Sequence, residues 1–537
     1  MNTKKGSLFN QVLLARGLRT EANTFFEAPY SRLSHNPYLL TDMNKAVTRI
    51  VHAKKTNEKI CVYGDYDIDG LTATTVLLDA FKAFGIDAFA HIPNRFSEGY
   101  GLNNQSLDAI KSKGADLVIT VDCGSTSISQ AAHARDLGLD LIITDHHTVS
   151  AQLPDCVAVI NPKRTDNDYP FIDLAGVGVA FKLVQALQSE LDGLPAGQEK
   201  WLMDLVSLGT VCDVVELQDE NRMLVKWGTE VMKKTRRPGI QALLDVAATN
   251  RHDIDAATFG FRLGPRLNAS GRLEHAQLSL DLLTATAEDT AVNISKTLEE
   301  MNSERRRIQS IIYEEAINQV DPNDDVIVVA SDSWSHGVVG IVASKLVEKY
   351  RKPAFVMQHL GDGTTKGSAR SFGSFKAVDA IRSCGELIIS GGGHAAAGGC
   401  TIATKDFDGF KKAINAFYAS LNLSDQIQFL RPPVDVELED LSAVTVQEIA
   451  QFKLLEPFGR GNPEPHFLLT DININSQRLV GAQKNHLQLT ITDKLGTMMR
   501  GIMFGQSSEI TESISPIVTF SESSYRPGDV EFQIKFV

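Results

Sequence analysis

The chain is poor in several features that define protein classes. Its 537 residues include only six cysteines and three tryptophans, and the aromatic content is 7%. The cysteines are scattered, and no two of them form a CxxC pair. This spacing argues against a disulfide framework and against a thiolate metal site. We therefore expect reduced thiols buried in a cytoplasmic protein.

Long apolar runs and excess positive charge are also missing. No apolar run could span a bilayer, and residues 1–6 lead into a polar-studded segment and not a signal-peptide core. Lys and Arg number 53 against 66 Asp and Glu, a net charge of −13. This balance argues against a protein that coats nucleic acid non-specifically. It does not exclude a nuclease, because carboxylates that hold metal ions count as negative.

Length and residue patterning divide the chain into five parts. A chain of this length is too long for one core, so several domains are expected. Alternating strand-like and helix-like segments predict two α/β domains, and short alternating strands near the C-terminus predict a small β-barrel of the oligonucleotide-binding (OB) type. The predicted parts are an N-terminal extension (1–45), a first α/β domain (46–245), a linker with a long helix (246–320), a second α/β domain (321–425) and the barrel (426–537).

The first α/β domain is predicted to contain a parallel sheet. Its strand candidates are nearly continuous apolar runs separated by helical patterns, which is typical of strands buried on both faces. Ligands of such sheets bind beyond the carboxyl ends of the strands. Three of these strands end in an acidic residue. The strand candidates are residues 60–65, 88–92, 117–122, 141–145 and 157–160.

Three aspartates follow the first strand at every second position. Asp65, Asp67 and Asp69 would share one face if the segment were extended. Carboxylates that converge in this way repel one another, and cations between them stabilise the arrangement. The stretch therefore predicts a cation site and raises the question of which other residues complete it.

Further acidic and imidazole side chains occur at corresponding positions. These are Asp122, the triplet of Asp145, His146 and His147, and Asp213. Any one of them alone is better explained as a helix cap or a surface residue. Together they form a set of carboxylate and imidazole ligands without thiolate, which suits Mn²⁺ and also Mg²⁺. Two ions about 3.5–4 Å apart would need a bridging carboxylate and could promote phosphoryl displacement.

These motifs, in this order, resemble the DHH phosphoesterase superfamily, which is named after the Asp-His-His triplet. Within it the chain is most similar to the RecJ family of single-strand-specific 5′→3′ DNA exonucleases. The resemblance extends from about residue 15 to the C-terminus, and it implies a DHH domain, a DHHA1 domain and an OB domain. The matching segments are residues 63–70, 93–95, 98–102, 121–124, 145–147, 209–213, 264–272, 335–344, 366–371, 391–399 and 455–463.

The resemblance also implies a division of roles at the metal site. Asp122 is expected to bridge two ions, His147 to contact the phosphate, and Asp145 to orient an imidazole. A related pyrophosphatase branch has a histidine at the position of Tyr63, so Asp65 is expected to compensate here. The implied ligands are Asp65, Asp67, Asp69, Asp122, His146 and Asp213.

DNA contacts are predicted in three regions. Glycines 391–399 would let backbone amides approach a phosphate closely, with Gly393, His394 and Arg370 contributing. The other contacts are implied by the family motifs or are candidates within the predicted barrel, some of whose aromatic side chains must fill its interior. They are Arg95, Tyr100, Asn268, Arg272, Lys484 and Arg526, with Arg500 and Phe504 as further barrel candidates.

The implied function is metal-dependent hydrolysis of single-stranded DNA from the 5′ end, in repair and recombination. The strand would pass between the two α/β domains, and the barrel would bind it behind the active site. Single-strand-binding protein and a helicase are implied partners, and a monomer is expected because no oligomerising stripe is present. Two alternatives stay open: a small-substrate phosphoesterase acting on nanoRNA or cyclic dinucleotides, and a non-catalytic DNA-binding scaffold.

Overall fold

The computed structural model describes residues 7–18, 22–95, 98–99, 101–423, 431–523 and 525–537. Within it the chain forms two compact units. The first contains residues 1–271, 275–298 and 432–537, and the second contains residues 272–274 and 299–431. All six cysteines are free. No helix in the described ranges is both long and apolar enough to cross a membrane.

The first unit is built around a five-stranded parallel sheet, with strand order β2-β1-β3-β4-β5. The central strand β1 pairs with both β2 and β3, so that Val62 lies opposite Ala90 and Ile119. Each predicted strand is confirmed to within one residue. Strands β1, β3 and β5 are buried throughout, which leaves a strong apolar signal, whereas β2 at the edge is half-buried. The strands are Ile60–Gly64 (β1), Ala88–His91 (β2), Leu117–Val121 (β3), Asp140–Thr144 (β4) and Ala158–Ile160 (β5).

Helices cover this sheet and continue into the linker. The α-helices from the N-terminal extension to the linker are Leu8–Ala15 (α1), Ala22–Glu27 (α2), Tyr30–Leu33 (α3), Met43–Thr56 (α4), Ile68–Phe84 (α5), Asn104–Ser112 (α6), Ile128–Asp136 (α7), Gly176–Gln188 (α8), Met203–Cys212 (α9), Asp219–Met232 (α10), Pro238–Val246 (α11), Gly264–Leu273 (α12) and Gln277–Thr284 (α13). A π-helix, Thr258–Leu263, precedes α12. The predicted long helix is Glu288–Ile317 (α14), and the boundary between the two units falls within it.

The second unit has a mixed five-stranded sheet, with order β6-β7-β8-β10-β9. The predicted phosphate-binding glycine segment, residues 391–399, forms the tip of an antiparallel hairpin in which Gly393 pairs with Gly398. Its strands are Ile327–Ser331 (β6), Ala354–His359 (β7), Thr364–Arg370 (β8), Ile388–Gly393 (β9) and Ala397–Ala403 (β10). Its further helices are Val339–Tyr350 (α15), Ala377–Ser383 (α16) and Phe407–Ser420 (α17).

The C-terminal part of the first unit is a seven-stranded mixed sheet, with order β11-β12-β16-β17-β15-β14-β13. The short alternating segments of the sequence predict about five strands here, and this count is wrong. Strand β11 is only three residues long and β13 contains no buried residue, so neither leaves a strong apolar pattern in the sequence. The elements are Val436–Leu438 (β11), Val446–Phe452 (α18), Phe467–Leu469 (β12), Asn473–Val480 (β13), His486–Thr492 (β14), Met498–Phe504 (β15), Ile517–Glu522 (β16) and Val530–Phe536 (β17).

Candidate metal centre

The spacing of the three alternating aspartates predicts an extended segment, but the structure shows a strand end followed by the start of a helix. Strand β1 ends at Gly64, Asp67 caps α5 by accepting a hydrogen bond from the Gly70 amide at 3.1 Å, and Asp69 lies in the first turn of that helix. An N-terminal cap is a favourable position for aspartate. Gly70 is required here, because a Cβ atom would stand 2.6 Å from the Asp65 backbone. The turn brings the carboxylates together without a shared strand face.

Asp69 is fixed by the start of α8. Its two oxygens accept hydrogen bonds from the amides of Gly176 and Val177, at 2.6 and 2.8 Å. Helix N-termini stabilise negative charge because their first amides lack partners within the helix. Gly176 also allows a second carboxylate to approach, since a Cβ atom there would lie 2.7 Å from Asp122. The start of α8 therefore holds two of the predicted ligands close together.

Asp122 stands at the centre of the group. It follows β3 with φ of +61°, a left-handed conformation that is uncommon outside glycine and is tolerated best by Asn and Asp. Its Oδ1 atom lies 3.1 Å from His146 Nε2. His146 Nε2 also lies 3.7 Å from Asp69 and 3.4 Å from Asp213. One imidazole thus contacts three carboxylates.

Asp213 reaches the centre from a helix and not from a strand. It caps the C-terminus of α9, and its amide donates to the Gly209 carbonyl at 2.9 Å. Its side chain is 20% exposed, whereas those of Asp69 and Asp122 are 1% and 2% exposed. Asp213 therefore forms the more open side of the cluster.

Among the residues that the structure describes, three groups of side chains have ligand atoms close enough to share an ion. In each group the atoms lie within 4.8 Å of one another. Asp122 belongs to two of the groups, which is the arrangement that a bridging carboxylate requires. The groups are Asp69 with His146 and Asp213, Asp65 with Asp67 and Asp122, and Asp122 with His146 and His147.

The pKa values of the clustered aspartates and of His146 indicate a site that favours bound cations. Burial and neighbouring carboxylates raise the pKa of Asp65 and Asp122 well above the usual range, that of Asp69 to about 7, and that of Asp213 to about 9. Burial and the charge of His147 lower the pKa of His146 to about 3. Among the described residues, Asp65 Oδ1, Asp122 Oδ1 and His146 Nε2 are buried without a hydrogen-bond partner. Divalent ions would satisfy these atoms and keep the carboxylates ionised.

Asp145 organises the two histidines. It accepts hydrogen bonds from the amides of His146 and His147 at 2.7 and 3.1 Å, from the Ser125 amide at 2.9 Å, and from His147 Nδ1 at 2.8 Å. Burial opposes its ionisation, but these bonds and the imidazole charges lower the pKa of Asp145 below its usual range. Burial likewise opposes the charge of His147, yet Asp145 raises the pKa of His147 to about 9.

Three protein-family models match the chain. The DHH family, N-terminal domain, matches residues 59–210, the DHHA1 domain matches residues 323–420, and the RecJ OB domain matches residues 434–535. The single-stranded-DNA-specific exonuclease RecJ of Escherichia coli is 34% identical over 87% of this chain and 84% of its own length. The chain belongs to the RecJ family. The predicted DHH, DHHA1 and OB folds are thereby confirmed.

Other RecJ proteins resemble the chain over most of its length. The RecJ of Bacillus subtilis is 37% identical over 95% of this chain, which spans 64% of that protein. The crystal structure of Thermus thermophilus RecJ with Mn²⁺ matches with a TM-score of 0.83 and 28% identity, covering 98% of this chain and 77% of that one. The Mg²⁺ complex of the same protein matches with a TM-score of 0.74, at 27% identity, with 98% and 76% covered. Those two structures of the relative hold Mn²⁺ and Mg²⁺, the ions predicted for this chain, and the number of ions and their individual ligands here stay predictions.

Arg95 and Tyr63 lie beside the centre of this RecJ-family chain. The Arg95 guanidinium stacks 4.8 Å from the ring centre of Tyr66, which separates Asp65 from Asp67. Tyr63 is fully buried and donates to the Gly101 carbonyl at 2.9 Å, outside the three ligand groups. Tyr100, a predicted DNA contact, lies outside the described residues.

Sequence reasoning missed Glu98. Its carboxylate accepts hydrogen bonds from the Asn94 amide and from the Ser106 hydroxyl, both at 2.6 Å. It therefore fastens the chain near Arg95 to the start of α6. The only signal for this role was the position of Glu98 within the matched family motif.

In the second unit, two predicted arginines meet the start of α15. Arg272 Nη1 donates to the Gly337 carbonyl at 3.3 Å, and a Cβ atom on Gly340 would lie 3.1 Å from Arg370 Nη2. His394 is exposed in the β9–β10 hairpin, and its amide donates to the Ala397 carbonyl at 2.8 Å. Ala397 pairs with Arg370 in the sheet. The structure thus brings Arg272, Arg370 and His394 to neighbouring elements.

The remaining predicted contacts are in the linker and the barrel. Asn268 lies on α12. Gly393 has a φ of +142°, and a Cβ atom there would lie 2.4 Å from the Ala397 carbonyl oxygen, so no side chain fits. Lys484 and Arg526 are exposed in the turns that connect β13 to β14 and β16 to β17. The structure does not assemble these barrel residues into one site, so their roles stay predictions.

Proposed function

We propose that this chain is a metal-dependent 5′→3′ exonuclease that degrades single-stranded DNA by phosphodiester hydrolysis. The observation that carries the proposal is the buried carboxylate–imidazole cluster around Asp122 in a chain of the RecJ family. Its relatives are named as single-stranded-DNA-specific exonucleases. Because one of these relatives is considerably longer than this chain, the substrate and polarity are part of the proposal.

Two ligand sets would hold the ions: Asp69, His146 and Asp213 in one, and Asp65, Asp67 and Asp122 in the other. When bound, the ions supply positive charge that polarises a phosphate and lowers the pKa of water. The protein keeps this region dry, because Asp65, Asp69 and Asp122 are nearly inaccessible to solvent. A dry site strengthens every charge interaction with the phosphate.

His147 is the side chain best suited to contact the reacting phosphate. Its Nδ1 atom is committed to Asp145, and its raised pKa of about 9 keeps the ring protonated at neutral pH. The protonated ring can donate its Nε2 hydrogen to a non-bridging oxygen and stabilise the charge that develops there. Asp145 thus acts through His147 as a positioning residue.

The DNA backbone would be held by the cationic residues of both units. Arg95 beside Tyr66 is suited to a phosphate near the metal centre, and Arg272, Arg370 and His394 to phosphates at the second unit. Guanidinium groups bind phosphate through paired hydrogen bonds. Gly393 would leave backbone amides of the hairpin accessible to the same strand.

Two other functions are less well supported. A small-substrate phosphoesterase acting on nanoRNA or cyclic dinucleotides would have no need of the barrel that matches the RecJ OB domain. A non-catalytic scaffold would have no need of a complete ligand set. A monomeric, cytoplasmic enzyme that cooperates with single-strand-binding protein and a helicase is part of our proposal.

Digestion of labelled strands tests the proposal directly. With Mn²⁺ present, a 30-nucleotide single strand labelled at its 5′ end should release labelled mononucleotide first, and a 3′-labelled strand should shorten progressively. A duplex of the same sequence and a strand blocked at the 5′ end should be degraded far more slowly. Faster hydrolysis of a dinucleotide than of the 30-mer would support the small-substrate function, and the absence of any hydrolysis would support the scaffold.

The barrel contacts give a separate prediction. Replacing both Lys484 and Arg526 with alanine should weaken binding of a 30-nucleotide single strand, because two phosphate contacts are lost. The dependence of log Kd on log salt concentration should become less steep by about 1.4, at about 0.7 per contact for single strands. Fluorescence anisotropy in Ca²⁺ or EDTA measures this without cleavage.

Lys494 provides the matched control for the barrel. It is an exposed lysine of the same domain, and its ammonium group is already paired with Asp471 at 2.6 Å. Lys494→Ala should leave both the affinity and the salt dependence close to those of the wild type. Equal losses in the control and in the double variant would remove Lys484 and Arg526 from the proposed DNA path.

A further inference from the structure

The loop that leads into the barrel packs directly against the chain that follows Asp213. We call residues 455–462 the root loop and residues 213–218 the Asp213 loop. Both belong to the first unit. The Leu217 amide donates to the Arg460 carbonyl at 2.7 Å, and Gln218 Nε2 donates to the Gly461 carbonyl at 3.1 Å. Two hydrogen bonds therefore join segments that are about 240 residues apart in the sequence.

The packing between the two loops is as close as their hydrogen bonding. Leu217 is buried, and a Cβ atom on Gly459 would lie 2.7 Å from its Cδ1 atom. Gly461 has a φ of +75°, and a Cβ atom there would lie 3.1 Å from Glu216. These glycines let the root loop approach the Asp213 loop without a gap.

Arg222 fastens the other end of the root loop to the same region. Its guanidinium is buried and donates to the carbonyls of Leu455 and Glu456, at 2.9 and 2.7 Å. Asn462 closes the loop on itself by donating to the carbonyls of Leu455 and Pro457, both at 2.8 Å. The root loop is thus internally braced and held at both ends.

The Asp213 loop contains a residue whose backbone conformation requires support from its surroundings. Val214 has a φ of +59°, and a left-handed conformation is strained for a β-branched residue. Its carbonyl faces Arg460 Nη1 at 3.5 Å. Asp69, by contrast, is held by two amides from α8 in its own domain. A strained backbone conformation persists only where the surroundings enforce it.

We infer that the root loop positions Asp213 for metal binding, so that the base of the barrel is part of the metal centre as well as of the DNA path. The inference rests on the metal-dependent function proposed above. Residues that orient metal ligands typically change metal affinity by 10- to 100-fold when they are replaced. The effect should concern one of the two ions, because Asp213 occurs in one ligand group only.

Gly459→Val tests the inference in the full-length protein without DNA. The added side chain should push Leu217 away and raise the dissociation constant of one Mn²⁺ ion about tenfold, as measured by electron paramagnetic resonance of free Mn²⁺. Gln218→Ala, which removes one hydrogen bond at an exposed position, should have a smaller effect in the same direction. Gly361→Val is the matched control, since no atom lies within 4 Å of its added Cβ.

A double-mutant cycle separates positioning from general damage. In an Asp213→Asn background, Gly459→Val should change Mn²⁺ affinity by less than about twofold, because the residue through which it acts has been altered. An undiminished effect in that background would contradict the inference. Equal Mn²⁺ binding by the wild type, Gly459→Val and Gln218→Ala would also contradict it, provided that the wild type binds Mn²⁺ and degrades single-stranded DNA.

Hydrogen exchange tests the same coupling in the wild type, so that it does not depend on a variant that folds. If the root loop favours metal binding, Mn²⁺ must in turn stabilise the contact between the two loops. Exchange of the Leu217 amide, which donates to Arg460, should slow when Mn²⁺ is added. Unchanged exchange at Leu217, with bound Mn²⁺ verified in the same sample, would overturn the inference. A wild type that binds no Mn²⁺ would instead overturn the proposed function.

Discussion

Replacing Asp122 with asparagine is expected to lower kcat for single-stranded DNA by at least about 10³-fold. Asp122 belongs to one of the two ligand sets and lies 3.1 Å from His146 of the other, so its loss should affect both ions. A loss of several kcal/mol in transition-state stabilisation corresponds to this factor, at about 1.4 kcal/mol for each tenfold change in rate. Degradation of a 5′-labelled strand in the presence of Mn²⁺ is the measurement.

Asparagine is the informative replacement because it preserves the backbone. Asp122 has a φ of +61°, which asparagine adopts more readily than alanine does. Asp136→Asn, at an exposed position on α7, controls for the loss of a charge elsewhere in the domain. Near wild-type rates for the Asp122 variant would show that this carboxylate does not bridge the ions.

The Asp122→Asn variant should be more stable than the wild type when metal is absent. Burial and neighbouring carboxylates raise the pKa of Asp122, so the folded state binds a proton that the unfolded state releases. A group of this kind destabilises the folded state increasingly as the pH rises above its unfolded pKa. In EDTA, the melting temperature of Asp122→Asn should exceed that of the wild type, by more at pH 8 than at pH 5. With Mn²⁺ bound, the wild type should have the higher melting temperature.

The parallel sheet and the set of residues at its rim could be predicted from the sequence. Buried parallel strands are continuous apolar runs, and the β1, β3 and β4 segments all end beside acidic residues. Because such ends meet at one edge of a sheet, a shared site followed from topology alone. The ligand types then indicated Mn²⁺ or Mg²⁺ without any knowledge of distances.

The local geometry of the site could not be predicted in the same way. A spacing of two residues suggested an extended segment at Asp65–Asp69, but the Asp67 cap starts α5 there instead. Strand β13 was missed because an exposed edge strand needs no apolar alternation. The root loop meets the Asp213 loop over about 240 residues of sequence, and such contacts leave no local pattern.

The second large effect is expected for Asp145→Asn, and it should depend on pH. Asp145 raises the pKa of His147 to about 9, so the wild-type ring stays protonated across the neutral range. Without the negative charge, the pKa of His147 should fall toward its ordinary value of about 6.5. The variant ring would then be neutral at pH 8, and its contribution to charge stabilisation would be lost.

We expect kcat of the variant to be about 10²-fold below that of the wild type at pH 8, and closer to it at pH 6, where His147 can still take up a proton. Asparagine keeps only one acceptor oxygen, so its NH₂ group must face either the Ser125 amide at the Oδ2 position or the two histidine amides at the Oδ1 position. We therefore expect a second, smaller loss of kcat that does not depend on pH. The measurement is a pH–rate profile at saturating Mn²⁺.

A second aspartate–histidine pair provides the control. Asp108 and His133 lie 2.8 Å apart on α6 and α7, away from the ligand groups. Asp108→Asn should leave the pH–rate profile unchanged. If the loss in Asp145→Asn is the same at pH 6 and pH 8, Asp145 supports the backbone of the histidine triplet and does not set the charge of His147. A titration of His147 by nuclear magnetic resonance, in the metal-free proteins, would then show equal pKa values in variant and wild type.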